Sequence, residues 1–101
     1  MMGRKDVSRL AIDLIEEALE KPNQTIVLEQ RIIQPICEPG IKHPTEQELM
    51  FIRADVMRSI LDISKTSTYK NYIQSDTHNP YSPEITYDNG SKITMMVKKE
   101  H

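Results

Sequence analysis

Between Asp6 and Lys21 the apolar residues Val7, Leu10, Ala11, Leu14, Ile15, Ala18 and Leu19 recur at steps of three and four. That period predicts an amphipathic helix. Asp6 supplies an N-cap and Pro22-Asn23 ends the run. The opposite face carries Arg9, Asp13, Glu16, Glu17, Glu20 and Lys21, so it is mainly acidic. A helix of this kind either covers a core or docks a partner or a second copy, and both readings stand at this point.

Composition limits what that helix can cover. With 101 residues the chain makes one domain, or one domain with an arm. There is no Trp, one Phe and four Tyr, so the core is built from Ile, Leu, Val and Met. The longest apolar run, Leu49-Met50-Phe51-Ile52, is far short of the 18 or so residues that span a bilayer. Arg4 and Lys5 are followed by Asp6, Ser8 and Arg9, which is no secretory signal. One cysteine, Cys37, gives no internal disulfide and no multi-cysteine zinc site, so a reducing, cytoplasmic setting is expected. Cys37 with His43 is too few ligands for a metal, and no cofactor is expected. The formal charge of −2 argues against holding nucleic acid by bulk charge. The deficit is uneven: six basic and nine acidic residues fall in 1–52, seven basic and six acidic in 53–101, a net of −3 against +1.

Further along, Thr25-Ile26-Val27-Leu28 reads as a short β-branched strand. Pro35, Pro39-Gly40 and Pro44 make 34–44 a linker or irregular arm. Thr45 and Glu48 fit a capping box that opens the next helix. Leu49, Ile52, Val56, Ile60 and Ile63 keep the helical period, as one helix or as two with a new start at Asp55.

The segment Asp55–Ile73 suggests a helix-turn-helix. A break at Asp62-Ile63 and an N-cap at Ser64 leave Lys65–Ser75 as a second helix. Thr68, Tyr69, Tyr72 and Ile73 form its buried or half-buried side. Lys65, Thr66, Ser67, Lys70, Asn71 and Gln74 form its polar side, a set suited to base edges and phosphates. Glu84–Tyr87 and Ser91–Val97, joined through Asp88-Asn89-Gly90, read as a β-hairpin with a two-residue Asn-Gly turn. Placed after a recognition helix, that hairpin is a wing. Its tip presents Asn89, Gly90, Ser91 and Lys92 to a sugar-phosphate backbone. Met95 and Met96 point to opposite faces, one packed and one exposed.

Phe51-Ile52-Arg53, Asp55-Val56-Met57, Ile63–Lys70 and the hairpin together resemble the AlpA-like and excisionase group of small winged-helix proteins. Ser64, Lys65, Thr66, Ser67, Tyr69 and Lys70 stand at that group's Ser-Arg-Ser-Thr-x-Tyr-Arg positions, and Pro80 and Pro83 where its prolines precede the wing. The resemblance covers about residues 50–97. This chain departs from the pattern at Asp62, where a turn glycine is usual, and at Lys65 and Lys70, where arginines are usual. Lysine weakens bidentate reading of guanine.

The resemblance implies an α+β fold: a winged helix-turn-helix of MerR-like, excisionase type over 45–101, with an N-terminal helix-and-strand extension over 1–44. It implies double-stranded DNA as ligand, bending of recombination sites, and excision directed through a tyrosine-type integrase. It also implies promoter repression and self-association on DNA. The DNA-binding set is Ser64, Lys65, Thr66, Ser67, Lys70, Asn71, Gln74, Asn89, Ser91 and Lys92. A dimer through the N-terminal helix and the 25–28 strand would present two recognition helices. The rival expectation is a protein-interaction module, a phage or mobile-element regulator or inhibitor, in which the acidic helix does the work. An enzyme is not expected: no nucleophile–base spacing, phosphate-cradling loop or metal cluster is seen in the sequence.

Overall fold

The structure is a computed structural model and describes residues 4–32, 45–77 and 83–96. The chain runs α1 (Arg4–Glu20), β1 (Thr25–Val27), α2 (Leu28–Arg31), α3 (Glu46–Ser64), a 3-10 turn (Lys70–Tyr72), β2 (Ile73–Thr77), β3 (Glu84–Tyr87) and β4 (Lys92–Thr94). Among the described residues this is an α+β domain of three α-helices and one four-stranded mixed sheet in the order β1-β4-β3-β2.

The period of α1 does what it predicts. Ala11, Leu14, Ile15 and Ala18 are buried, and α1 packs chiefly on α3. Ala11 and Ala18 are fully buried. Asp6 lies inside the first turn rather than before it, because α1 begins at Arg4. The helix after Thr45 is single. The Thr45 hydroxyl accepts from the Glu48 N–H at 3.2 Å, and α3 continues past Asp55 and Asp62 to Ser64. Val56, Met57, Ile60 and Leu61 supply its buried face. Each fully buried side chain of that size contributes about 1.5–3 kcal/mol.

The hairpin is present, with Ile85 paired to Ile93 and Thr86 to Lys92. Ile85 and Tyr87 point into the core while Glu84 and Thr86 are only half-buried, the alternation a one-sided sheet requires. β4 covers only Lys92–Thr94 of the expected Ser91–Val97 strand, so Met95 and Met96 lie in a bend beyond it, Met95 buried and Met96 exposed.

β1 is parallel to β4, with Ile26 opposite Ile93. The expected N-terminal extension is therefore built into the same sheet and the same core as the hairpin. The apolar face of α1 is used on α3, and β1, at the edge of the sheet, pairs on one side with β4. Arg53 ties the two halves again. It is 4% exposed, and its Nε and Nη2 donate to the Ile32 carbonyl at 3.0 and 2.9 Å while Nη1 reaches Glu46. An Arg fork on one carbonyl satisfies a buried acceptor that α2 leaves at its end.

The largest departure is at 65–77. The expected second helix over Lys65–Ser75 does not form. Lys65 closes α3 through bonds to the Asp62 and Ile63 carbonyls, turns follow to Tyr69, and Ile73–Thr77 is strand β2, antiparallel to β3. Local chemistry explains the stop. The Thr66 hydroxyl donates to the Ile63 carbonyl at 2.6 Å, and Thr66-Ser67-Thr68 is a run whose hydroxyls compete with helical bonding. Gln74 is the extra residue in a bulge between Ile73 and Ser75. The 34–44 arm, Cys37, His43, His78, Pro80 and Tyr81 lie outside the described residues.

Candidate functional site

The C-terminal end of α1 and the tip of the hairpin form one interlocked unit. A helix end leaves carbonyls unpaired. Here they are met from far along the chain: Asn89 Nδ2 donates to the Ala18 and Leu19 carbonyls at 2.8 and 3.3 Å, and the Ser91 hydroxyl to the Lys21 carbonyl at 2.6 Å. Gln24 Nε2 donates to the Glu17 carbonyl at 2.5 Å. Asn23 turns the chain away from α1 with φ of 60°, and its N–H donates to the Asn89 carbonyl.

This docking reshapes the turn. Asn89 does not take positive φ; only Gly90 does, at 85°. Tyr87 N–H bonds the Ser91 carbonyl and Gly90 N–H the Tyr87 carbonyl, so Asp88-Asn89-Gly90 is a three-residue loop rather than the expected two-residue turn. A Cβ on Gly90 would stand 2.2 Å from Asn23 Oδ1.

The DNA-binding set is thus divided. Asn89 and Ser91 face α1, and Ser91 is fully buried. Ser64 is also fully buried, its hydroxyl 2.8 Å from the Tyr87 hydroxyl. Burial pushes the Tyr87 phenol up to about 12, against a smaller lowering by Ser64. Thr66 is bonded to the end of α3, Lys65 pairs with Asp76 at 3.2 Å, and Lys92 sits within β4, half-buried. Ser67, Lys70, Asn71 and Gln74 are exposed along the stretch leading into β2.

Between the interlocked end of α1 and this stretch lies an open cleft of about 700 Å³. Glu16, Leu19, Thr68, Tyr69, Tyr72, Asp88 and Asn89 line it. The Tyr69 hydroxyl donates to Glu16 at 3.2 Å. Burial, that bond and the Glu16 charge all raise the Tyr69 pKa. Thr68 and Tyr72, expected on a buried or half-buried helix face, are exposed, Tyr72 at 50%, and the Tyr72 carbonyl accepts from the Asp88 N–H at 2.7 Å. Lys65, Lys70 and Lys92 are not among the lining residues.

Sequence reading placed Glu16 on an outer face and the tyrosines in a helix core, and had no reason to join them. The pairing depends on the hairpin docking under α1. Among the described residues no group of three or more His, Cys, Asp or Glu is placed to hold a metal ion, and no helix is long and apolar enough to cross a membrane. Compared with protein-family models, curated proteins and solved structures, the chain matches none.

Proposed function

We propose that this chain is a protein-interaction module that holds a basic surface of a partner against the outer face of α1 and the neighbouring cleft. One observation carries the reading: the exposed face of α1 presents Asp13, Glu16 and Glu20, and it borders a cleft whose lining includes carboxylates and no cation. Steps of three and four residues put these carboxylates on one side of the helix. Counting Arg9 and Lys21, the outer face of the helix carries two cations against four carboxylates, a net of −2. The test is binding of lysine- and arginine-rich peptides to the full chain and to the triple variant Asp13→Lys, Glu16→Lys, Glu20→Lys. Binding should fall with salt and be lost in the variant. Equal binding by the variant sinks the reading.

A second reading is DNA binding of the excisionase and AlpA kind, in which the chain bends recombination sites for a tyrosine-type integrase and represses a promoter. The exposure of Lys70, Asn71 and Gln74 on one continuous stretch favours it. With Lys65–Ser75 not helical, a turn and an edge strand would meet the groove, as in ribbon-type readers. Fluorescence anisotropy with duplex DNA at low salt tests this reading. Binding that Lys70→Ala with Asn71→Ala removes would support it, and no binding to any duplex would end it.

A further inference from the structure

We propose that the cleft between α1, the 65–72 turn and the hairpin tip receives a single arginine side chain from a basic segment of a partner protein. This rests on the interaction-module reading and assigns its central contact.

The cleft's chemistry is one-sided. Glu16 and Asp88 bring two carboxylates, and the lining holds no Lys, Arg or His. On the next residue of α1, Glu17 is engaged by both terminal nitrogens of Arg31. Glu16 instead has the neutral Tyr69 phenol as its partner, bonded through Oε1. That bond orients the carboxylate without cancelling its charge. Asn89 adds no competing donor, because its amide nitrogen is spent on α1 carbonyls and its oxygen on the Ser91 N–H.

The remaining walls favour a flat cation. Tyr69 and Tyr72 stand on one turn of chain, and Leu19 adds an apolar patch. A guanidinium stacks on an aromatic ring, bonds carboxylates with its rigid fork, and leaves its aliphatic stem on apolar surface. An ammonium does only part of this, since it is compact and more strongly hydrated. The cleft volume, about 700 Å³, exceeds what one side chain fills, so flanking residues of the segment also enter.

The experiment titrates the isotope-labelled full chain, followed by amide chemical shifts, with three basic peptides that differ only at a central residue: arginine, lysine or citrulline. Citrulline keeps the shape of arginine and removes its charge. Arginine should shift the amides of 68–72 and of Asp88 and Asn89, with citrulline and lysine each weaker by about tenfold. Glu16→Gln keeps an acceptor for Tyr69 and should weaken the arginine peptide without unfolding the chain. Tyr72→Ala should do the same. Equal binding of the three peptides overturns the assignment. Shifts confined to α1 around Asp13 and Glu20 also overturn it while leaving the interaction-module reading intact. No response to any basic peptide overturns both. Binding of free arginine as tightly as the peptide would replace the partner segment with a small molecule.

Discussion

The two halves of the expected wing-and-helix surface behave in opposite ways. The hairpin tip is anchored: Asn89 and Ser91 close the end of α1, and Gly90 lies against Asn23. The stretch from Ser67 to Gln74 is open, with Ser67, Lys70, Asn71 and Gln74 exposed. Both regions are rich in small polar residues, and composition does not separate them. The tip side chains meet carbonyls that the end of α1 leaves unpaired. Polar side chains that reach one become structural, and those that do not stay available to a ligand.

Mutations can break this contrast. Gly90→Ala should do most, costing about 3 kcal/mol, because it forces a side chain into positive φ and against Asn23. Denaturant unfolding measures it, and a loss below a few tenths of a kcal/mol would mean the tip is not anchored. Next is pH. Tyr87 in the folded chain has its pKa raised to about 12, so the neutral phenol is the favoured form. Its contribution is complete below the ordinary tyrosine value near 10 and is lost as pH rises toward 12, by about 2–3 kcal/mol in all. Unfolding free energies across that window, with phenolate absorbance followed in parallel, test the sign.

Ser64→Ala leaves the Tyr87 hydroxyl buried without its partner and should cost about 1–3 kcal/mol. Adding Tyr87→Phe should recover part of that loss, since neither hydroxyl is then stranded. Asn89→Ala removes the donor to the Ala18 and Leu19 carbonyls and should cost about 1–2 kcal/mol, read as a lower unfolding midpoint. At the other end of the scale, alanine at Lys70, Asn71 or Gln74 should change stability by no more than about 0.5 kcal/mol, and any larger change in binding is then assignable to contact.

Much of the fold was legible. Ala11, Leu14, Ile15 and Ala18 read as a helix face because four buried positions at regular steps leave little alternative. Thr45 read as a cap, and the segments around Asp88-Asn89-Gly90 as a hairpin, from local chemistry alone. The segment 65–77 misled for a definable reason. Tyr69 and Ile73 are four apart, which suits a helix, and short apolar spacing does not tell helix from strand. Pairing with β3 chose the strand, and nothing local encodes that pairing. The cleft was illegible on the same ground, since Glu16 and Asp88 lie far apart along the chain.

What the sequence alone determined, then, is the set of elements whose cause is local: the amphipathic α1 with its acidic outer face, the capped start of α3, the hairpin and the charge division between the halves. Only the tertiary structure decided where β1 pairs, that Ile73–Thr77 is a strand on β3, and which polar residues are structural. Those outcomes depend on helix ends and strand edges meeting partners many residues away. Unpaired backbone groups take whichever partner the packed chain brings within about 3 Å, and packing, not spacing, brings it there.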